Sequence, residues 1–140
     1  MPSKLKYIFI LLLALSFKVT IGQSDKVEAM KVSFITKEIS LTPAEAQSFW
    51  PLYNEHSDKV KSLRKNFKTN YGSKEDFKND KEAEEFLSAE IKLKQTEVDL
   101  RKEYVEKFKK VIGSKKTAQL RKAEEKFIEI VLNTAKGKGP

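Results

Sequence analysis

The feature that most constrains the fold is the segment 79–112, which contains neither Gly nor Pro. Apolar residues recur along it at about 3.5 residues, the period of an α-helix that packs along one side. The stripe consists of Leu87, Ile91, Val98, Val105, Phe108 and Ile112, and Lys94 and Arg101 occupy two of its places. A second stripe beside it consists of Leu93, Leu100, Tyr104 and Val111. We therefore predict one long helix with a broad apolar surface that cations interrupt.

Such a helix would be about 50 Å long at 1.5 Å per residue. A compact domain of this size has a radius of gyration of only about 13–14 Å. The segment therefore predicts an elongated molecule with apolar surface that one layer of helices leaves uncovered. Dimerisation through the long helices is the expected remedy.

A strong helix start precedes this segment. Thr42 suits the N-cap, Pro43 suits the first helical position and Glu45 lies three residues after the cap, which together form a capping box. The predicted second helix covers residues 43–69.

The same helix contains an unusual aromatic segment around an interior proline. Pro51 cannot donate a backbone hydrogen bond to the Gln47 carbonyl, so a kink is expected there. Phe49, Trp50 and Tyr53 flank it. We expect the kink to set the curvature of the molecule, with Trp50 packed at the bend or at a dimer contact.

Local signals define the other elements. Ser24 or Asp25 caps a first helix that ends near Ser40, with Val27, Met30, Phe34 and Ile35 as its apolar stripe and Met30 in the core. Gly72 ends the second helix, and Ser73 or Asn79 starts the third. Gly113 and Ser114 break the chain before a fourth helix over 115–133. The predicted fold is all-α, with about four antiparallel amphipathic helices, elongated, and a curved helical-hairpin dimer.

The N-terminus has the pattern of an export signal. Lys4 and Lys6 precede an apolar run over 7–17 that is too short to span a membrane, and small residues follow. We predict a cleaved signal peptide over 1–22, an uncleaved anchor being the alternative. A single helical domain over 23–135 and a disordered tail over 136–140 complete the chain.

The composition limits the chemistry. The chain has no Cys, which excludes disulfides and thiolate sites, and it has one His. It has no nucleophile elbow, phosphate loop or zinc spacing, so we predict neither an enzyme nor a cofactor. The sequence pI near 9.5 suggests nucleic-acid binding, but the export signal and the lack of a nucleic-acid module argue against it.

Two groups of polar residues have alternative interpretations. His56 lies on or beside the apolar side of the second helix, where boundary packing is expected and metal or pH sensing is the alternative. Cations gather near the end of this helix at Lys61, Arg64, Lys65 and Lys68. Cations in this position stabilise the helix through its dipole. The alternative is that they form a basic surface for acidic clients or anionic lipid.

The segment Leu41-Thr42-Pro43-Ala44-Glu45 resembles the Leu-Thr-x-x-Gln motif of the Spy/CpxP family of small helical periplasmic proteins, with Glu45 in place of Gln. Residues 31–53, 102–112 and 115–127 are similar to a Bacteroidetes subgroup labelled "sensor of ECF-type sigma factor" or "periplasmic heavy-metal sensor". The family's second motif copy is replaced here by residues 112–116, which contain neither Thr nor Gln.

This resemblance implies a periplasmic, cradle-shaped antiparallel dimer of four helices. Its concave face would be basic with apolar patches, would include Lys94 and Arg101 beside the cations of the second helix, and would bind unfolded or envelope-stress clients. The alternative is a regulatory protein that binds a membrane-bound signalling partner, such as an anti-sigma factor or a sensor kinase. A metal-sensor role fits poorly with one His.

Overall fold

A computed structural model describes residues 22–72 and 76–137, which form three helices: α1, Gln23–Glu38; α2, Pro43–Tyr71; and α3, Asp80–Ala135. None of the described residues is in a strand, so the all-α prediction is confirmed. The predicted signal peptide, apart from Gly22, and the last three residues of the predicted tail lie outside the described residues. The chain divides into two units, Met1–Ser33 and Phe34–Pro140, and the packing below is that of the second.

The start of α2 is the predicted capping box. The Glu45 backbone N–H donates to Thr42 Oγ1 at 3.2 Å, and the Thr42 backbone N–H donates to Glu45 Oε2 at 2.9 Å. Pro43 occupies the first turn, where its missing N–H has no intrahelical partner to lose. The helix then continues through Pro51 without a break. The curvature expected at Pro51 stays a prediction.

α2 and the first part of α3 run antiparallel. Phe67 stacks near Phe86, and Phe49 stacks near Phe108 with ring centroids 5.2 Å apart. Of the two starts predicted for α3, the structure uses Asn79, whose side chain accepts a hydrogen bond from the Glu82 backbone N–H at 3.0 Å.

Gly113 interrupts α3 where the sequence predicted a break. Its φ of 76° and ψ of 164° are not helical, although the helix is otherwise continuous to Ala135. With this kink counted inside α3, three helices are described, and the predicted count of four is not confirmed. Beyond Gly113 the chain runs parallel to α2, because Lys116 contacts Glu45 and the later Glu124 contacts the later Tyr53. The chain thus reverses its direction at this glycine.

This reversal brings three segments around one core. Its buried members are Ile35, Ile39, Phe49, Tyr53, Tyr104, Phe108, Ile112, Leu120 and Ala123. Full burial of a large apolar side chain stabilises a fold by about 1.5–3 kcal/mol, so the end of the molecule near Gly113 holds most of the packing energy. Phe127 lies farther along α3 and stacks on Phe34, with centroids 5.7 Å apart.

The two predicted stripes of α3 differ in burial. Leu87, Ile91 and Val98 are 53%, 70% and 47% exposed, because α3 turns its second stripe, with Leu93, Leu100 and Tyr104, toward α2. Tyr104 of the second stripe is fully buried, and nearer Gly113 the first stripe is buried as well, at Phe108 and Ile112.

The predictions for α1 were partly wrong. Met30 is 56% exposed rather than in the core, since the buried part of α1 begins at Ile35. The helix starts at Gln23, before the predicted caps Ser24 and Asp25, because the Gly22 carbonyl accepts the first backbone hydrogen bonds.

Candidate interaction surface

The strongest candidate for a functional surface is a line of cations where α2 and α3 meet. Lys61, Arg64 and Lys68 share one face of α2, since residues three and four apart are neighbours on a helix. Glu97 of α3 accepts a hydrogen bond from Arg64 Nε at 2.5 Å, and Lys94 Nζ lies 4.0 Å from the same carboxylate. We call Lys61, Arg64, Lys68, Lys94 and Arg101 the basic strip.

Most of this charge faces solvent. The side chains of Arg64 and Lys94 are 65% and 68% exposed, whereas Glu97 is only 15% exposed. Lys61 lies 3.9 Å from Asp58, but Lys68 and Arg101 form no ion pair with any residue that the structure describes. Lys65, the remaining predicted binding residue, is exposed on the neighbouring face of α2. The strip therefore offers more positive charge than its own acids neutralise.

An apolar line borders the basic strip on α3. Leu87, Ile91 and Val98 are exposed, and Lys94 and Arg101 continue their spacing. We call these five residues the exposed seam. A shallow depression lies along it, lined by Glu90, Ile91, Lys94, Gln95 and Val98. Exposed apolar side chains next to solvent-exposed cations are suited to binding amphipathic protein segments.

His56 packs at the boundary of the core, as the sequence predicted. Its ring centroid lies 4.9 Å from that of Tyr104 and 6.3 Å from that of Phe108, and its buried Nε2 has no hydrogen-bond partner. Burial lowers the pKa of His56, and the nearby Arg101 guanidinium lowers it further. The ring is therefore neutral near pH 7.

Polar contacts of Tyr104 lie beside this histidine. Tyr104 donates to Glu55 Oε1 at 2.5 Å, and Lys107 Nζ lies 4.3 Å from the centroid of the Tyr104 ring. The Tyr104 hydrogen bond, followed by the Lys59 ammonium, lowers the pKa of Glu55. Within the described residues no group of three or more His, Asp or Glu side chains is placed to hold a metal ion.

The segment from Leu41 to Tyr53, which contains the helix start and the aromatic residues around Pro51, contacts the core and the last part of α3. Glu45 completes the capping box and also accepts from Lys116 Nζ at 2.6 Å, and the same ammonium donates to the Ser40 carbonyl at 2.8 Å. The Lys116 hydrogen bond, followed by that of the Thr42 backbone, holds the pKa of Glu45 below its usual value. This carboxylate therefore joins the start of α2 to the last part of α3.

The apolar residues of the same segment lie in the core or pack against it. Phe49 and Tyr53 are buried, and Leu41 packs against the core. Trp50 is half-buried, with its ring edge-on to Phe49 and Tyr53 at 5.0 and 5.2 Å, whereas Pro51 is exposed.

The sequence did not reveal the partners that position these residues. Glu97 and Lys116 each join segments far apart in sequence, 33 and 71 residues from Arg64 and Glu45. In the sequence both look like ordinary members of mixed-charge helices. The only signal for Lys116 was its place just after the Gly113 break, where a returning helix passes the start of α2.

Comparisons of the chain with protein-family models, with curated proteins and with solved structures found no match. In residues 22–72 and 76–137, no helix has both the length and the apolar character needed to cross a bilayer.

Proposed function

We propose that this protein is a periplasmic stress-response protein of Spy/CpxP type, which binds unfolded or envelope-stress clients without ATP, cofactor or catalysis. The basic strip and the exposed seam form the binding surface. The observation that carries the proposal is the exposure of Leu87, Ile91 and Val98 directly beside Lys94 and Arg101.

The two kinds of side chain have different roles in this proposal. The exposed cations attract acidic segments over several ångströms and raise the rate of encounter, an effect that salt screens. The aliphatic side chains then hold apolar segments by short-range contact. Binding of this kind is weak and adaptable, as a protein that captures many unfolded clients requires.

Aggregation of a reduced, unfolding client, followed by light scattering, tests the proposal. The protein should suppress aggregation at or below equimolar ratio, and added salt should slow the capture. Ile91→Ser should weaken suppression several-fold, while Met30→Ser serves as the matched control, because Met30 is similarly exposed but lies far along the chain from the seam. No suppression over a tenfold range of concentration would refute the proposal.

Export to the periplasm is also a proposal, supported by the predicted signal peptide. Intact mass of the exported protein should correspond to a chain that begins at Gln23. A mass that retains residues 1–22 would instead support the uncleaved anchor.

We further propose that the protein forms a homodimer through its helices. Ile128 and Leu132 lie four residues apart on α3 and are 57% and 52% exposed, which is a suitable apolar contact for a second copy. Sedimentation should show a dimer at micromolar concentration that Ile128→Glu converts to a monomer. A monomeric wild-type protein would contradict this.

The alternative function is regulation of an ECF sigma/anti-sigma or two-component system through one membrane-bound partner. The regular spacing of Lys94 and Arg101 within the exposed seam favours it, because regular spacing suits one defined partner. Crosslinking followed by pull-down from envelope extracts distinguishes the two functions. One stoichiometric membrane protein supports regulation, and many weakly bound clients support chaperoning.

A further inference from the structure

The exposed seam follows the spacing of a coiled-coil contact line. Its members lie four, three, four and three residues apart, so that Ile91 and Val98 occupy a positions of a heptad and Leu87, Lys94 and Arg101 occupy d positions. In coiled coils these positions insert side chains between those of a partner helix. The depression along Ile91, Lys94 and Val98 is the matching concavity on this helix.

We propose that the exposed seam docks one amphipathic helix that carries acidic residues seven positions apart, opposite Lys94 and Arg101. This inference rests on the proposed function, since it names the chemistry of the partner for the same surface. The seam extends about 21 Å from Leu87 to Arg101 at 1.5 Å per residue, which corresponds to two heptads of a partner helix. An extended segment rises about 3.3 Å per residue and cannot keep this period along the seam.

We expect an acidic partner because the chain itself supplies few carboxylates to Lys94 and Arg101. The nearest acid to Lys94 is Glu97, but this side chain points toward α2 and already holds Arg64 at 2.5 Å. Arg101 has no ion pair with any described residue. Two cations at d positions disfavour an all-apolar partner, because their charged groups would lose water without gaining a carboxylate.

A second copy of this chain fits the seam less well. Pairing two copies there would bring two lysines at position 94 and two arginines at position 101 into one contact. Of the three acids between Leu87 and Arg101, Glu97 is engaged by Arg64 and Asp99 lies 3.9 Å from Lys102, so only Glu90 has no ion pair within the described residues. The contact would therefore carry excess positive charge, whereas an acidic helix neutralises it.

A pair of synthetic helical peptides provides the test. The acidic peptide has four heptads with Leu at the apolar core positions and Glu at the positions opposite Lys94 and Arg101. The basic peptide replaces those Glu residues with Lys. Binding of each labelled peptide to the full protein is measured by fluorescence anisotropy at low and at high salt.

Two variants of equal net charge separate the seam from overall charge. Lys94→Glu with Arg101→Glu reverses the seam, and Lys115→Glu with Lys122→Glu is the matched control at exposed positions elsewhere on α3. The acidic peptide should bind the wild-type protein at least tenfold more tightly than the basic one. Reversal of the seam should weaken the acidic peptide about tenfold and restore binding of the basic one, while the control should change either affinity less than about twofold.

Two results would overturn the inference. One is equal binding of both peptides, or binding that the seam reversal leaves unchanged. The other is sedimentation showing that the seam reversal changes self-association, which would assign the seam to a second copy. If neither peptide binds while the wild-type protein still suppresses client aggregation, this inference alone falls. If aggregation suppression also fails, the proposed function falls with it.

Discussion

Replacement of Gly113 with alanine should destabilise the protein by removing the one backbone conformation that lets α3 reverse. With φ 76° and ψ 164°, Gly113 lies in a region that is essentially restricted to glycine, and a side chain there costs about 1–3 kcal/mol. No atom outside its immediate neighbours lies within 4 Å of the added Cβ, so the cost comes from the backbone alone. Loss of unfolded-state entropy offsets about 0.4–1 kcal/mol, so the middles of the two ranges leave a net loss of about 1.3 kcal/mol.

Urea unfolding followed by Trp50 fluorescence measures this loss, because Trp50 is the only tryptophan and packs against the core. At an m-value of about 1–3 kcal/mol per molar, the midpoint should fall by roughly 0.5–1 M. Gly137→Ala is the matched control: its φ is 69° and its added Cβ also meets no atom, but it follows the end of α3. An unchanged or higher midpoint for Gly113→Ala would refute the strain argument.

Three further changes test other contacts by the same unfolding assay. Phe108→Ala should cost about 3–5 kcal/mol because it empties the centre of the core, and a loss below 1 kcal/mol would contradict the packing. Lys116→Met should lower stability at pH 7 and move the pKa of Glu45 up toward its usual value, as NMR titration of the carboxyl would show. An unchanged pKa of Glu45 would contradict its ion pair with Lys116. The pKa of His56 is lower in the folded than in the unfolded protein, so its contribution to stability is present above the unfolded value of about 6.5 and is lost as pH falls below it. His56→Phe should reduce the fall in stability between pH 7 and pH 5, and an unchanged fall would show that other groups cause it.

The sequence predicted the local structure well because local signals determine helix ends. Thr42 and Glu45 form their capping box within four residues, Asn79 caps α3, and Gly113 marks the reversal. Each of these signals acts through hydrogen bonds or backbone preferences of neighbouring residues.

The sequence could not decide which stripe of α3 faces α2. Both stripes are apolar at helical spacing, and periodicity alone does not rank them. Tyr104, with its hydroxyl bonded to Glu55, favours the second stripe, and that partner lies on another helix. The two cations in the first stripe were the available sign that this face is exposed.

The candidate surface was predicted by residue type but not by geometry. The cations of α2 were recognised as a possible basic surface, yet the ion pair of Arg64 with Glu97 depends on the register between two helices. That register follows from the aromatic packing near Phe49 and Phe108.

Photocrosslinking from single positions tests the central claim most directly, because it asks where on the protein a partner lies. A photoreactive residue is placed at position 91 in the exposed seam, and at positions 115 and 122 as exposed controls elsewhere on α3. A reduced, unfolding client or the acidic peptide is then added, and crosslinked products are quantified by mass spectrometry. We expect position 91 to give most of the product, with a yield that decreases as salt is raised. Equal yields at the three positions, or a higher yield at a control position, would contradict the assignment of the exposed seam as the binding surface.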